Sequence, residues 1–585
     1  MHKLKKSFSL CLVLLITLTS IFSGVNLNVS ASTVTTAYIE GSNINVRVAP
    51  SKTDTIIEKI SYTTATVLET VNDGTWLKIT YHNGIEQITG YIFYDSSYIR
   101  VVTYNPDADF ETKLLAFPES YRDALRGLKA IYKNWEFIPD PVTITFAEAV
   151  ALESVNMRKQ VSFSSQPVSW RSMGSGAYDW NKGEWVVTNG GWTGASREIT
   201  AYYMDPRNFL NTTEIYQFLQ QGYDPSYQNE EGVKKIIAGT FMEVNYSDPN
   251  DIVYGGSYAK VIMEAAKQAG VSPYILASKI RQEIGVSVTN MVSGTYSGYE
   301  GYYNFFNIGA SGGDSGTVLI NGLSRAKSAG WDTRSKAIIG GAKFLSNNYI
   351  SRGQDTYYYQ DFNVHKPNEL WHQYAQAIHD ANSKGKLMAD SYINETDFAL
   401  TFKIPVYTAM PESVSPLPVS NSSKNNYYFE NISVSGLTPS FSIFTYNYDM
   451  HISGDTTVYV KPVNGASYVG EGSYQIKNGN NTVSLKVKSE TGYITDYVLN
   501  IDSSVDCTLT VSSGTAPIPT VKRGDTNGDG AITLSDLANI RLHLLGKFTL
   551  SGDNAYAADT NKDNQITLSD LANVRLHLLG LFTIS

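Results

Sequence analysis

Twelve residues beginning at Asp525, Asp-Thr-Asn-Gly-Asp-Gly-Ala-Ile-Thr-Leu-Ser-Asp, return 34 residues later from Asp559 as Asp-Thr-Asn-Lys-Asp-Asn-Gln-Ile-Thr-Leu-Ser-Asp. The runs that follow, Leu534 to Gly546 and Leu568 to Gly580, differ only at Ile540 against Val574. The end of the chain is therefore confined to two copies of one loop-and-helix unit.

Each loop sets oxygen side chains at positions 1, 3, 5, 9 and 12: Asp525, Asn527, Asp529, Thr533 and Asp536, then Asp559, Asn561, Asp563, Thr567 and Asp570. Position 7, Ala531 or Gln565, adds a backbone carbonyl, and the set suits a hard cation with six or seven oxygen ligands. Calcium is expected at both loops, two ions in all. Asn564 holds a place where Gly is commoner, and Asn tolerates positive φ. Position 12 is Asp rather than Glu, and no helix-like sequence precedes the first loop, so these are half motifs and not paired EF-hands.

This duplicated pattern resembles a type I dockerin. The resemblance implies docking, through helices that present Arg541, Leu542, Arg575 and Leu576, onto a cohesin domain of a scaffold protein, as in cellulosomes.

The chain has 585 residues, enough for about three to five domains. With 42% hydrophobic and 17% charged residues it is neither a disordered tail nor a coiled coil. A net charge of −9 argues against a nucleic-acid partner. The two cysteines, Cys11 and Cys507, build no disulfide framework, zinc cluster or thiol nucleophile once a leader is removed. Residues 1–31 read as that leader: Lys3, Lys5 and Lys6 precede an apolar run from Leu10 to Phe22, and Val29-Ser30-Ala31 ends in small residues. A secreted protein follows, with no membrane span in the mature chain.

Residues 34–102 alternate short β-like runs with turns. Asn45-Val46-Arg47-Val48, Gly74-Thr75-Trp76-Leu77-Lys78 and Gly90-Tyr91-Ile92 resemble bacterial SH3-like domains of wall hydrolases, which implies a small β-barrel that binds wall peptides. An α-helical lead-in is expected over 106–228, with Tyr121, Leu125, Leu128, Ile131 and Trp135 on one helical stripe. The Gly-, Trp- and Tyr-rich stretch from Ser169 to Trp192 reads as an ordered loop that either covers a groove or packs on the next domain. Four prolines mark a linker over 403–425. Residues 426–504 show period-two strands, Val483, Leu485, Val487 and Tyr497, Leu499, Ile501, of a β-sandwich that resembles cadherin-like modules. A second linker, 505–522, leads to the dockerin-like tail, 523–585.

Residues 229–394 carry the chemistry. Ser272 to Gly285 predicts a helix with Pro273 near its first turn and Gly285 past its end. Glu283, seven residues after Leu276 and three after Ile280, falls on their apolar stripe. An inward, half-buried carboxylate has its pKa raised and serves as a general acid, which glycoside cleavage needs. The segment from Ser293 to Ala310 adds glycines, stacking rings and the amides Asn304 and Asn307, a composition suited to a saccharide groove.

Glu283-x-Gly285, then Tyr303-Asn304-Phe305-Phe306-Asn307-Ile308-Gly309-Ala310, Gly330-Trp331-Asp332-Thr333, Lys336 to Phe344 and His372-Gln373-Tyr374-Ala375 together resemble the endo-β-N-acetylglucosaminidases of glycoside hydrolase family 73. Asp205-Pro206-Arg207-Asn208-Phe209 also looks like clostridial members. The resemblance implies a lysozyme-like α+β domain that cleaves the β-1,4 bond between N-acetylglucosamine and N-acetylmuramic acid of peptidoglycan. It makes Glu283 the proton donor, needs no cofactor for catalysis, and places Tyr302, Tyr303, Asn304, Gln373 and Tyr374 at the substrate, with Phe305, Phe306 and Ile338 to Phe344 as core.

The second catalytic group stays open. Glu300 and Asp314 are the carboxylate candidates, and a separation of about 6.5–9.5 Å would give inversion, about 5–5.5 Å a covalent intermediate. The substrate's own acetamido group, oriented by Tyr374, is the third option. One departure is the absence of a further Gly after Gly285, where Val286-Ser287 stands. The rival readings are the same chemistry on chitin or glycoprotein N-glycans, and a non-catalytic wall-binding scaffold accessory.

Overall fold

The computed structural model describes residues 33–584 apart from 62, 84–85, 312–313, 393–396, 471 and 516–520. The expected leader therefore lies outside the described residues. Two compact units result, one of residues through Val161 with Arg197–Leu417, the other of Ser162–Ser196 with Pro418–Ser585.

The first unit opens with seven strands: β1 (Val34–Ile39), β2 (Ile44–Arg47), β3 (Ile56–Ile60), β4 (Thr63–Val71), β5 (Trp76–His82), β6 (Gln87–Phe93) and β7 (Ile99–Tyr104), ordered β3-β2-β6-β5-β4-β1-β7. Val46, Leu77, Ile79 and Ile92, taken from three alternating runs, meet in one core. Helix α1 (Glu119–Ile131) packs on β1 and β7, and Gly127 permits this because a Cβ there would strike the Tyr38 hydroxyl.

Helix α1 buries Tyr121, Leu125 and Leu128. Trp135 departs from the expected helical stripe: the chain turns at Tyr132, whose ring stacks on Trp135 at 3.7 Å, and Trp135 opens strand β8 (Trp135–Thr145). Its parallel partner is β9 (Leu400–Thr408), in register from Leu400 opposite Trp135 to Tyr407 opposite Val142. This corrects the linker expected from 403. Pro405 is compatible with a strand whose second edge carries only a bridge from Phe402 to Leu219, and its carbonyl accepts the Tyr121 hydroxyl at 3.2 Å.

The chain after β9 is also tied down. Arg207 is forked onto Asp205 at 2.8 and 2.9 Å and donates onward to the carbonyls of Pro411, Glu412 and Ser413, while Asp205 accepts Ser415 N–H. Removing one partner of a buried ion pair leaves an uncompensated charge and costs about 3–5 kcal/mol. Asp205→Ala is expected to lower unfolding stability by that order, read from denaturant melts, and to free residues 411–415 for proteolysis.

Helices α2 (Tyr258–Ala269), α3 (Pro273–Ile284), α4 (Ser315–Ser328), α5 (Arg334–Asn348) and α6 (Asp380–Ala389) follow the lead-in. Helices α2 and α5 pack together, with Ala265 and Ala266 buried on one and Ala337 and Ala342 on the other, while Gly341 makes room for the Phe306 ring.

In the second unit two four-stranded sheets face each other. Strands β10 (Phe429–Ser433), β12 (Thr456–Pro462), β17 (Cys507–Ser513) and β14 (Ser473–Ile476) form one; β11 (Asn447–Ile452), β16 (Ile494–Ser503), β15 (Gly479–Lys488) and β13 (Ser467–Val469) form the other. Val483, Leu485, Val487, Tyr497, Leu499 and Ile501 are all at most 4% exposed in the core between them. The sandwich runs nine residues past the expected 504, because β17 pairs with both β12 and β14.

Ser162–Ser196 takes the second of its two expected roles. Met173 packs with Tyr427, Tyr428 and Val463, flanked by Tyr178, Trp180 and Trp185, and Asn425 donates to the carbonyls of Ser169 and Arg171. The lead-in expected over 106–228 is therefore interrupted. The tail holds α7 (Leu534–Leu544), a short helix Gly552–Ala558, and α8 (Leu568–Leu578). Among the described residues no helix is long and apolar enough to cross a membrane.

Candidate active site

Helix α3 starts at Ser272, whose hydroxyl accepts Ile275 N–H, with Pro273 in the first turn, and ends at Gly285 with φ of 87°. Leu276, Ala277, Ile280 and Ile284 are buried along it. Glu283 shares the angular position of Leu276, yet its side chain is exposed. The stripe runs off the core at the last turn and opens into a cavity, which corrects the inward, half-buried carboxylate expected from periodicity.

The cavity measures about 390 Å³, and its wall includes Lys279, Glu283, Asn307, Phe344, Tyr349 and Tyr374. Asn307 donates its amide to both the Glu283 carbonyl at 2.8 Å and carboxylate Oε2 at 3.1 Å. Both partners are acceptors, so the amide nitrogen must face them. Asn307 sits at φ of 50°, a conformation Asn accepts more readily than most residues.

Tyr374 is 48% exposed. Its ring lies 5.5 Å from that of Tyr349 and 3.3 Å beneath the Lys384 ammonium, which Asp380 holds at 2.5 Å. Burial of the phenol, and then the charge of Glu283, push the Tyr374 pKa up. Glu283 and Tyr374 are thus brought to one cavity.

The other expected site residues are not in it. Glu300 turns its carboxylate onto backbone N–H groups, its own and that of Gly298, which hold it below the usual range. Asp314 caps α4, accepting the Thr317 hydroxyl at 2.6 Å and N–H at 3.0 Å, which holds it low as well. Neither lines the cavity that holds Glu283. Asn304 is fully buried and spends its amide on Ile308 and Gly322. Tyr303, 5% exposed, receives Arg334 at 3.2 Å. Both build the loop that carries Asn307 rather than line a groove. Tyr302 sits 5.8 Å from the Lys327 ammonium, and Gln373 is turned onto the buried Glu153 at 2.7 and 2.8 Å.

Sequence reasoning missed Lys279, Phe344, Asn348 and Tyr349. Lys279 stands four residues before Glu283, where helical neighbours meet. Phe344, assigned to core, is 39% exposed and lies one turn from Asn348 at the open end of α5.

At the tail, Thr533 and Thr567 cap α7 and α8 in capping boxes closed by Asp536 and Asp570, both fully buried. Asp536 accepts Thr526 N–H at 2.7 Å and Thr533 N–H at 2.8 Å, and Asp570 repeats this with Thr560 and Thr567. Asp525 gathers Gly528, Asp529 and Gly530 N–H groups, which curl the first loop around it. In the second loop carboxylate oxygens of Asp559, Asp563 and Asp570 lie within 4.8 Å of one another. That spacing fits oxygens held about 2.3–2.6 Å from one centre, so the donor set suits calcium.

Residues 523–579 match the family model of the dockerin type I domain. The chain is 30% identical over 226 residues to the bifunctional autolysin of Staphylococcus epidermidis, covering 37% of this chain and 16% of that protein. It is 31% identical over 228 residues to the β-N-acetylglucosaminidase of Bacillus subtilis, covering 38% of this chain and 24% of that protein. The chain thus spans under a quarter of the length of these curated relatives. Among solved structures, the major bifunctional autolysin aligns at 24% identity over 47% of this chain and 100% of that chain, with a TM-score of 0.33. Glucosaminidase B of Staphylococcus aureus aligns at 26% over 47% and 95%, also with a TM-score of 0.33.

Proposed function

We propose that this chain is an exported endo-β-N-acetylglucosaminidase of peptidoglycan, tethered to a cohesin-bearing scaffold through its calcium-loaded dockerin. The homology to an autolysin and a glucosaminidase supports the reaction class. The observation that carries the mechanism is that Glu283 is the single carboxylate among the described residues lining its cavity, held by Asn307 with Tyr374 in the same wall.

Glu283 gives the proton on Oε1 to the leaving glycosidic oxygen. With Glu300 and Asp314 committed to turn and cap, the attacking group is the substrate's own acetamido oxygen, which Tyr374 orients for closure onto the anomeric carbon. Water then opens that ring with net retention. Two displacements at one carbon restore the β configuration, so NMR of early product should show the β anomer; an initial α anomer would mean direct attack by water.

The seven-stranded N-terminal sheet serves as an SH3-like wall binder and the sandwich as a cadherin-like spacer. Asp525, Asn527, Asp529, Ala531, Thr533 and Asp536, with their repeats Asp559 to Asp570, would hold two calcium ions, which supply the charge that lets these acids crowd together. Leu534 and Leu568, each 73% exposed, and Leu542 and Leu576 present the duplicated apolar surface for a cohesin.

The Asn307 contact yields a test that leaves the loop intact. Asn307→Gly keeps the left-handed backbone and removes the amide. A hydrogen bond to a charged group contributes about 1.5–3 kcal/mol, so kcat on purified wall should fall on the order of tenfold or more, and the melting temperature should fall modestly because the bond to the Glu283 carbonyl is lost as well.

A further inference from the structure

Two lysines flank the acid end of the cavity, and only one is compensated. The Lys384 ammonium pairs with Asp380 at 2.5 Å and covers the Tyr374 ring at 3.3 Å. Lys279 lines the cavity half-buried, and among the described residues it has neither an ion pair nor a hydrogen bond. Its recorded contact is the buried ring of Tyr357, 5.7 Å away. Burial, and then the like charge of Lys384, push the Lys279 ammonium down to about 8, while Glu283 and Asp380 oppose that shift.

A cation held partly out of water without a counter-ion is unfavourable unless a ligand completes it. Asp380 is already taken by Lys384. Glu283, one helical turn along α3, makes no ion pair with Lys279 among the described residues, its Oε2 being held by Asn307. The anion must then come from outside the protein.

We infer that Lys279 is a specificity-determining residue that receives a carboxylate carried on the glycan beside the scissile bond. The inference rests on the glucosaminidase reading of Glu283 and deepens it. Peptidoglycan offers that group in two places: the lactyl acid of a muramic sugar freed of its peptide, or an acid of the stem peptide itself. Chitin has neither. If the lactyl acid is the group, the reaction that supplies this substrate is hydrolysis of the amide joining the lactyl group to the peptide.

The test is calorimetric binding to the full-length Glu283→Gln protein, which separates recognition from turnover. Three tetrasaccharides of alternating N-acetylglucosamine and N-acetylmuramic acid are compared: one with free lactyl acids, one with these capped as carboxamides, and one carrying an Ala-Glu stem. Either the free-acid or the stem-bearing sugar should bind about tenfold more tightly than the carboxamide, a difference set by one charge-assisted contact. Which sugar does so identifies the source of the carboxylate. A second change, Lys279→Gln, should erase the difference, and Lys279→Arg should retain part of it.

Equal affinity for all three, a preference that survives Lys279→Gln, or no measurable binding would each overturn the inference. Hydrolysis of whole wall by the unmodified protein is read separately. Its absence would sink the glucosaminidase reading, whereas hydrolysis with no charge preference would sink only the role of Lys279.

Discussion

Chelating calcium from the full-length protein is expected to abolish its binding to a type I cohesin and to open residues 523–584 to hydrogen exchange and proteolysis. The tail's apolar core is small, centred on Ile540, Leu550, Ala558, Val574 and Ile584, and domains of this size usually need a staple beyond their core. The second loop meanwhile brings carboxylate oxygens of Asp559, Asp563 and Asp570 within 4.8 Å of one another, where a cation relieves their repulsion. With free calcium a thousandfold above its dissociation constant, each site stabilises the fold by about 4 kcal/mol, enough to decide whether so small a domain is folded. Asp570→Ala removes a proposed ligand and also breaks the capping box of α8, worth a further ~1 kcal/mol. It should therefore weaken the tail more than Asn561→Ala. Calorimetry against the cohesin, with and without chelator, reads the outcome; unchanged affinity without calcium would exclude the role given to these loops.

Glu283→Gln is expected to lower kcat on purified peptidoglycan by about 10²–10⁴-fold, the usual contribution of a positioned general acid. The amide keeps the size of the side chain and leaves the Asn307 bond to the Glu283 carbonyl in place, so the melting temperature should not move. Glu300→Gln and Asp314→Asn should each retain activity within about threefold, because these carboxylates tie backbone N–H groups outside the cavity. A loss at either comparable to that at Glu283 would restore it as the second catalytic group and remove the acetamido route.

The sequence was most legible where one local rule decided the outcome. Period two along Val483 to Val487 and Tyr497 to Ile501 marked the faces that the sandwich buries. Ser272, Pro273 and Gly285 delimited α3, and the duplicated Asp loops displayed the repeat that matches the dockerin type I domain. It was least legible where residues far apart in the chain decide the outcome. Leu400–Thr408 is a strand only because Trp135–Thr145 lies beside it, and Pro405 disguised it as linker. Asn304 and Asn307 looked equivalent as groove amides. One is consumed by Ile308 and Gly322 and the other reaches Glu283, a division that depends on how the loop between α3 and α4 closes. Periodicity placed Glu283 on the right side of α3 but could not show that the core stops one turn before it.

The central claim, that Glu283 makes this protein a glucosaminidase, is tested most directly by mass spectrometry of fragments that the mature protein releases from purified peptidoglycan and that are then reduced with borohydride, run beside Glu283→Gln. The account predicts reduced N-acetylglucosamine ends that vanish in the variant. Reduced muramic ends, or release that persists in Glu283→Gln, would contradict it.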